Sequence, residues 1–387
     1  MTNRVNEAQA PVGSVMADVH EPAETEADLM KIGKIETRSV VVPLGAARGG
    51  SGATSLQVLH VRVHDVDGLT GTGFTYSMTG GVEGARAITD TTFTPQVVGL
   101  DLLQWDRAWH TLWAATRRVG RGAALAALSA LDIAVWDLRA QSAGLPLYRL
   151  LGAHRDSVPV YGSGRATHAM SDDELVEGAL AYVREGYRAV KLRAGALGIE
   201  RDVERVATVR SAVGPGVQIM IDCNERLDLA RSQRLAQRLA DFDITWLEEP
   251  LISDDVASHA LLAARSPIPI AVGEHLHGRF EFKSYLDRGA AAVLMPDAPL
   301  TGGISEWVRI ATLAEASGAA VTPHFLPELH IHLVAATKAA TYLEHFPLLD
   351  ELLTETLTVT DGVATPPDRP GHGMCWNTDA LERYTIY

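Results

Sequence analysis

The chain has 387 residues and a formal net charge of −14 at pH 7. That charge argues against a nucleic-acid partner, which requires a basic patch, and it means that an anionic substrate needs a local cation to bind. No apolar run approaches the roughly 18 residues of a membrane helix, the amino terminus lacks a signal-peptide pattern, and Cys223 and Cys375 give neither a disulfide framework nor a zinc spacing, so a cytoplasmic protein with no membrane partner is expected.

Residues 1–30 are rich in Ala, Glu, Asp and Pro and hold no aromatic residue. They cannot bury much apolar surface and read as a disordered extension. Alternating β-branched residues predict a strand over Ile35–Leu44 and, after a Gly/Ser/Ala-rich loop at Gly45–Ser55, a second over Leu56–His64. Asp67-Gly68 signals a turn into a third strand near Thr72–Tyr76. Helices follow near Gly84–Val98, Leu102–Ala115 and Arg121–Ala143, the last Ala-rich and apolar on several sides, hence buried. Residues 31–155 therefore read as an α+β unit.

From Val158 the pattern changes to strand alternating with helix. Strands fall at Pro159–Gly162, Arg188–Arg193, Val217–Asp222, Ile244–Leu247, Pro269–Val272, Ala291–Met295 and Ala319–Thr322. The helix over Ser171–Gly186 opens with a capping box, Ser171 followed by Glu174. Further helices fall near Asp254–Ala264, Phe280–Arg288 and Ile304–Ala316. Polar groups arrive from the ends of many successive strands, which predicts a parallel barrel over 156–365 rather than an open sheet. The turn-rich segment 366–387 is expected to run back over the first domain.

Three of the strand-end clusters, IDCNE (221–225), WLEEP (246–250) and VGEH (272–275), deliver Asp222, Glu248 and Glu274 at equal intervals of 26 residues. About 25 residues is one strand, one helix and two short loops, so the three acids should sit at the same end of three successive strands. Converging carboxylates repel one another unless a hard divalent cation, magnesium above all, binds them through oxygen. Asn224 lies beside the first of them. Glu249 should point away from Glu248. Lys191 and Arg193 are two apart on a strand and face the same side, where buried cations need anions close by. Asp297 (MPDAP) and His324 (TPHF) end adjacent strands, and a carboxylate beside an imidazole fixes its tautomer and raises its basicity, as a general base or acid requires. His330 and His332 read as helix residues without a role. His275 and His277 either line the site or belong to a solvated loop.

With RAVKLRAG, IDCNE, WLEEP, VGEH, MPDAPLTGG, TPHF and YLEHF in place, the chain resembles the enolase superfamily and, within it, the mandelate racemase subgroup, from about Lys31 to Tyr387. The resemblance implies an α/β fold: a modified TIM barrel, (β/α)7β, under an N-terminal α+β capping domain. It implies Mg2+ held by Asp222, Glu248 and Glu274, a His324–Asp297 dyad on one face of a small carboxylate substrate, and Glu344 donating a hydrogen bond to the substrate carboxylate. It also implies an even-numbered homo-oligomer such as an octamer. On the opposite face the family carries Lys-x-Lys, the first lysine binding the carboxylate and the second acting as base. Here the second is Arg193. With a pKa of about 12.5–13.8, neutral arginine at pH 7 costs roughly 7.5–9 kcal/mol, so Arg193 is a poor base and a good electrostatic partner.

The family's shared step is removal of a proton α to a carboxylate, with the enediolate stabilised by preorganised charge. One clear base, His324, favours dehydration of a sugar acid to a 2-keto-3-deoxy acid. The alternative is a racemase or epimerase of an α-hydroxy acid with Lys191 or Arg193 as second base. A magnesium-binding scaffold that lost catalysis, or an unrelated metal-dependent barrel enzyme, are the remaining readings. Arg48, with Ser51 and Thr54 in the loop expected to close over the barrel, suits a hydroxylated or dicarboxylic substrate.

Overall fold

The structure, a computed structural model, describes residues 30–48 and 52–386. The extension read over residues 1–30 lies outside the described residues except for its last, as does the side chain of Arg48. Strands β1 (Ile32–Arg48), β2 (Ala53–Asp65) and β3 (Thr70–Ser77) form an antiparallel sheet. The loop expected over Gly45–Ser55 is shorter than that: β1 runs on to Arg48, which pairs with Ala53 after a register shift beginning at Pro43. Proline gives no amide hydrogen to a ladder, and a bulge lets pairing resume beyond it. The turn at Asp67-Gly68 is built by Asp65, whose Oδ1 accepts from the amides of Asp67 and Leu69 at 3.0 and 2.8 Å, with Gly68 at φ 95°.

The helix Arg121–Ser142 is buried along most of its length, as its composition predicts. It lies flush on β3 because Gly71 and Gly73 have no side chains: a Cβ on either would stand 2.2 and 2.1 Å from the carbonyl oxygens of Ala134 and Ala130. The helix expected over Gly84–Val98 is interrupted. An α-segment Val82–Ile88 passes into a π turn Thr89–Phe93 and a last turn Thr94–Val97. Thr89 and Thr91 hydroxyls donate back to the carbonyls of Ala85 and Ala87, and Pro95 has no amide hydrogen to continue an α-ladder.

Beyond the cap, β4 (Val158–Gly162), β5 (Ala189–Arg193), β6 (Gln218–Asp222), β7 (Ile244–Glu248), β8 (Ile270–Val272), β9 (Val293–Leu294), β10 (Ala320–Val321) and β11 (Leu343–His345) pair in parallel. β11 lies beside β4, and Val321 bridges Ala340 in parallel just before β11, which closes the barrel. The capping box at Ser171 is formed, with Glu174 accepting from the Ser171 amide at 2.8 Å. A short strand, β12 (Val363–Ala364), adds antiparallel to β4, and β13 (Thr385–Ile386) pairs with β1, so the carboxyl-terminal residues complete the first sheet. Inside the barrel, Tyr161, Ala189, Met220, Trp246, Ala271, Val293 and Met295 form one apolar layer. Two residues further along β6 and β7, the alternation of side chains puts Asp222 and Glu248 at the mouth.

The cap grips the segment that follows β9. Thr75 of β3 donates to the carbonyl of Pro299, Trp109 to that of Gly302, and the Gly302 amide to Ser129 Oγ. Asp132, fully buried, accepts from Trp105 and from the amide and hydroxyl of Ser305. Among the described residues, no helix is long and apolar enough to cross a membrane.

Candidate active site

The 26-residue spacing becomes register. Arg193 at the end of β5 pairs with Asp222 at the end of β6, and Asp222 with Glu248 at the end of β7. Glu274 follows β8 by two residues. One oxygen of each of Asp222, Glu248 and Glu274 lies within 4.8 Å of the others. Asp222 and Glu248 are fully buried, and Glu274 is partly exposed. Burial followed by the like charge of Asp222 pushes the Glu248 carboxyl well above its ordinary range. Such a set, all hard oxygen donors in excess negative charge, fits a divalent cation of the magnesium type.

Two cations already lean on these acids. Lys191, one alternation deeper than Arg193, places Nζ 2.8 Å from Glu248 Oε1, 2.7 Å from Glu344 Oε1 and 3.4 Å from Asp222 Oδ2. Burial alone would lower its pKa, but Glu248, Glu344 and Asp222 together raise it. Arg193 donates to Asp222 and, at 2.6 Å, to Asn224 Oδ1. Burial opposes its charge too, and Asp222 and then Glu274 more than restore it. Asp222 itself, although burial pushes it up, is held below the usual carboxylate range by Arg193 and Lys191. Its Oδ1 accepts from the Asn224 amide at 2.9 Å, made possible by a left-handed Asn224 (φ 43°).

On the opposite side His324 is nearly buried. Nδ1 is 3.0 Å from Asp297 Oδ2 and Nε2 is 3.4 Å from Glu274 Oε2. Burial disfavours the imidazolium, yet Glu274 and then Asp297 raise its pKa to about 9. Glu344 joins the two sides: Oε1 meets Lys191, and Oε2 accepts from the Phe325 amide at 3.0 Å. Burial would raise it, but Lys191 and His324 bring it down to about 2, so it stands here as an ionised acceptor.

Some roles were not visible in the sequence. Tyr76, from the cap, donates to Asp297 Oδ2 at 2.6 Å and lies 3.3 Å from His324 Nδ1. His330 is buried between the two loops of the dyad, Nδ1 2.7 Å from the Phe325 carbonyl and Nε2 3.0 Å from the Ala298 amide. Nε2 must accept there, so Nδ1 carries the hydrogen and the ring is neutral; burial lowers its pKa accordingly. Trp246 donates to Glu248 Oε2 at 3.1 Å. Glu249 does turn away from Glu248, through a left-handed backbone (φ 38°), and meets His275 Nδ1 at 2.9 Å. Glu225, Glu249 and His275 form a second cluster with atoms within 4.8 Å. His277 sits beside Glu281, and His332 accepts the Tyr148 amide while meeting the His372 carbonyl, away from the acids.

An eight-stranded parallel barrel with three clustered strand-end carboxylates, roofed by an α+β domain that reaches into its mouth, defines a capped-barrel enzyme of the metal-binding kind. Residues 32–152 match the mandelate racemase / muconate lactonizing enzyme N-terminal domain, and residues 174–380 match the enolase C-terminal domain-like family. The chain belongs to the mandelate racemase group of the enolase superfamily. It is 34% identical over 332 residues (85% of this chain, 92% of the relative) to a 3,6-anhydro-alpha-L-galactonate cycloisomerase of Streptomyces coelicolor. It is 36% identical over 332 residues (84% and 82%) to an L-talarate/galactarate dehydratase of Salmonella typhimurium. An L-talarate dehydratase of Polaromonas sp. JS666, solved as a complex with Mg and L-glucarate, superposes with a TM-score of 0.87 at 35% identity, covering 92% of this chain and 98% of that one.

Proposed function

We propose that the protein is a magnesium-dependent acid sugar dehydratase acting on a small polyhydroxylated carboxylate in the cytoplasm, as an even-numbered homo-oligomer. The observation that carries this reading is one imidazole–carboxylate dyad facing a wall of permanently charged Lys191 and Arg193 across three clustered acids. Its relatives named as L-talarate/galactarate, arabinonate and L-rhamnonate dehydratases support it. Asp222, Glu248 and Glu274 would hold the cation, which when bound supplies Lewis-acid charge for the substrate carboxylate.

The steps belong to this chain's own groups. Lys191 neutralises the carboxylate oxygen on which charge grows, a preorganised electrostatic contribution. His324 Nε2 takes the C2 proton, and the C–H pair moves into the enediolate. With Glu274 committed to a cation, the largest charge favouring the imidazolium is gone, and the ring can be neutral near pH 7. The enediolate then expels the C3 hydroxyl, the C3–O pair leaving with it. The proton on His324 goes to that oxygen to form water, and the enol tautomerises to the 2-keto-3-deoxy acid. Arg193 stays charged and fixes Asp222 and Asn224, and Asn224 would meet a substrate hydroxyl. Glu344 helps hold the substrate carboxylate through Lys191.

The test is a library of acid sugars with Mg2+, read for 2-keto-3-deoxy product, with His324→Asn beside the parent. Product from the parent and none from the variant supports the reading. Inversion of both enantiomers of a chiral acid without loss of water, or an isomer of unchanged mass formed by ring opening, replaces it with a racemase or a cycloisomerase.

A further inference from the structure

The His324–Asp297 pair is completed from outside the barrel. Asp297 Oδ2 accepts at 3.0 Å from His324 Nδ1 and at 2.6 Å from the Tyr76 hydroxyl, and the hydroxyl is 3.3 Å from Nδ1, so three groups close a triangle on one oxygen. A phenol has one hydrogen to give. The 2.6 Å separation is that of a charge-assisted O–H···O bond, and the 3.3 Å one is too long to compete. The hydroxyl therefore donates to Asp297. Nδ1 must then carry its own hydrogen toward the same oxygen, and Nε2 is the nitrogen left to move protons at the mouth. Among the described residues none hydrogen-bonds Asp297 Oδ1, which is buried. All anchoring of this carboxylate thus falls on Oδ2, and without the Tyr76 hydroxyl it keeps one hydrogen bond, to the very ring it has to orient.

Tyr76 is well placed to act as a fixed point. It sits on β3, nearly buried, with Gly71 and Gly73 of the same strand pressed against the helix Arg121–Ser142. Its neighbour Thr75 binds the Pro299 carbonyl, two residues past Asp297. We propose that Tyr76 is a positioning residue for the catalytic base: its hydroxyl locks the Asp297 carboxylate and, through it, the tautomer and direction of His324, so that the capping domain supplies a third member of the dyad. This rests on the reading of His324 as the proton-transferring residue.

The experiment uses the full Mg2+-loaded protein, Tyr76→Phe, and Thr75→Val as a variant that removes a neighbouring stitch between the same two segments without touching the dyad. In 15N-histidine NMR spectra, the Nδ1–H resonance of His324, assigned by its loss in His324→Asn, should move or broaden away in Tyr76→Phe and stay in place in Thr75→Val. On any acid sugar that the parent dehydrates, Tyr76→Phe should lower kcat by about 10–100-fold, the scale of a misoriented catalytic group, with KM within about twofold and Thr75→Val within about twofold in both. An unchanged resonance, an unchanged kcat, or an equal loss in Thr75→Val overturns the proposal. A parent that dehydrates no acid sugar sinks the dehydratase reading alone, and the NMR comparison still decides the place of Tyr76. Tyr76→Leu serves as a second hydroxyl-free variant should the phenylalanine chain not fold.

Discussion

The two walls of the site are built on opposite rules. On the Lys191/Arg193 wall Lys191 touches three buried carboxylates and Arg193 touches Asp222 and the Asn224 amide oxygen, and burial is overridden so that both cations stay charged. On the His324 wall one imidazole is suspended between Glu274 and Asp297, with a base that shifts according to what Glu274 is doing. On the proposed reading the first wall keeps charge still and the second moves it. A group surrounded by permanent counter-charges is fixed in one protonation state, whereas a group with one fixed and one exchangeable partner can be tuned.

That contrast can be broken in several ways. Removing the cation with a chelator should abolish turnover and lower the melting temperature, and Mg2+ in excess should restore both; at 100 times its Kd a ligand stabilises by about 2.7 kcal/mol. Glu248→Gln should lose the Mg2+-dependent melting shift. Next in size, His324→Asn should cut kcat by about 10²–10⁴, the range for general acid–base residues, while Mg2+ binding by calorimetry persists; retained activity would mean the proton moves on the other wall. Lys191→Met should cost about 10²–10³ in kcat, as loss of one preorganised electrostatic contact does. Arg193→Lys exchanges a fixed cation for a titratable one. It should lower dehydration about tenfold and open solvent deuterium exchange at C2 of the epimer that the parent ignores; a variant still blind to that epimer would show that wall identity does not set stereochemistry.

The smallest effect is one of pH. Before cation binding the imidazole titrates near 9, and Glu248 is also raised. Commitment of Glu274 and Glu248 to a cation lowers both, so binding releases protons and Mg2+ affinity rises with pH between about 7 and 9, toward tenfold per unit for each proton released. Calorimetry in buffers of different ionisation enthalpy measures the release, and His324→Asn should reduce it.

Much of the barrel mouth was legible because a βα unit has a nearly fixed length. Equal spacing of Asp222 and Glu248 turned directly into strand-end register, with Glu274 two residues past the end of β8, and the two-residue step from Lys191 to Arg193 into a shared interior face. The cap's contribution was not legible. Tyr76 lies 221 residues before Asp297 in sequence, and alternation along β3 says that it is buried without saying against what. His330 on the helix Pro327–Ala336 reads as one more core residue, since periodicity cannot reveal that its two nitrogens clasp backbone from two different loops. The extra length of β1 was hidden by Gly45–Arg48, whose composition signals a loop although the partner strand extends it.

The apolar plug of Tyr161, Met220 and Trp246 beneath the acids has a consequence for traffic. With these side chains filling the barrel beneath the acids, a substrate would reach and leave them by the same end, and so would any water that the proposed dehydration releases. On the proposed reading Asn224, beside Asp222 and Arg193 at that end, would meet both the arriving and the departing molecule, and its substitution should be felt in release as much as in capture.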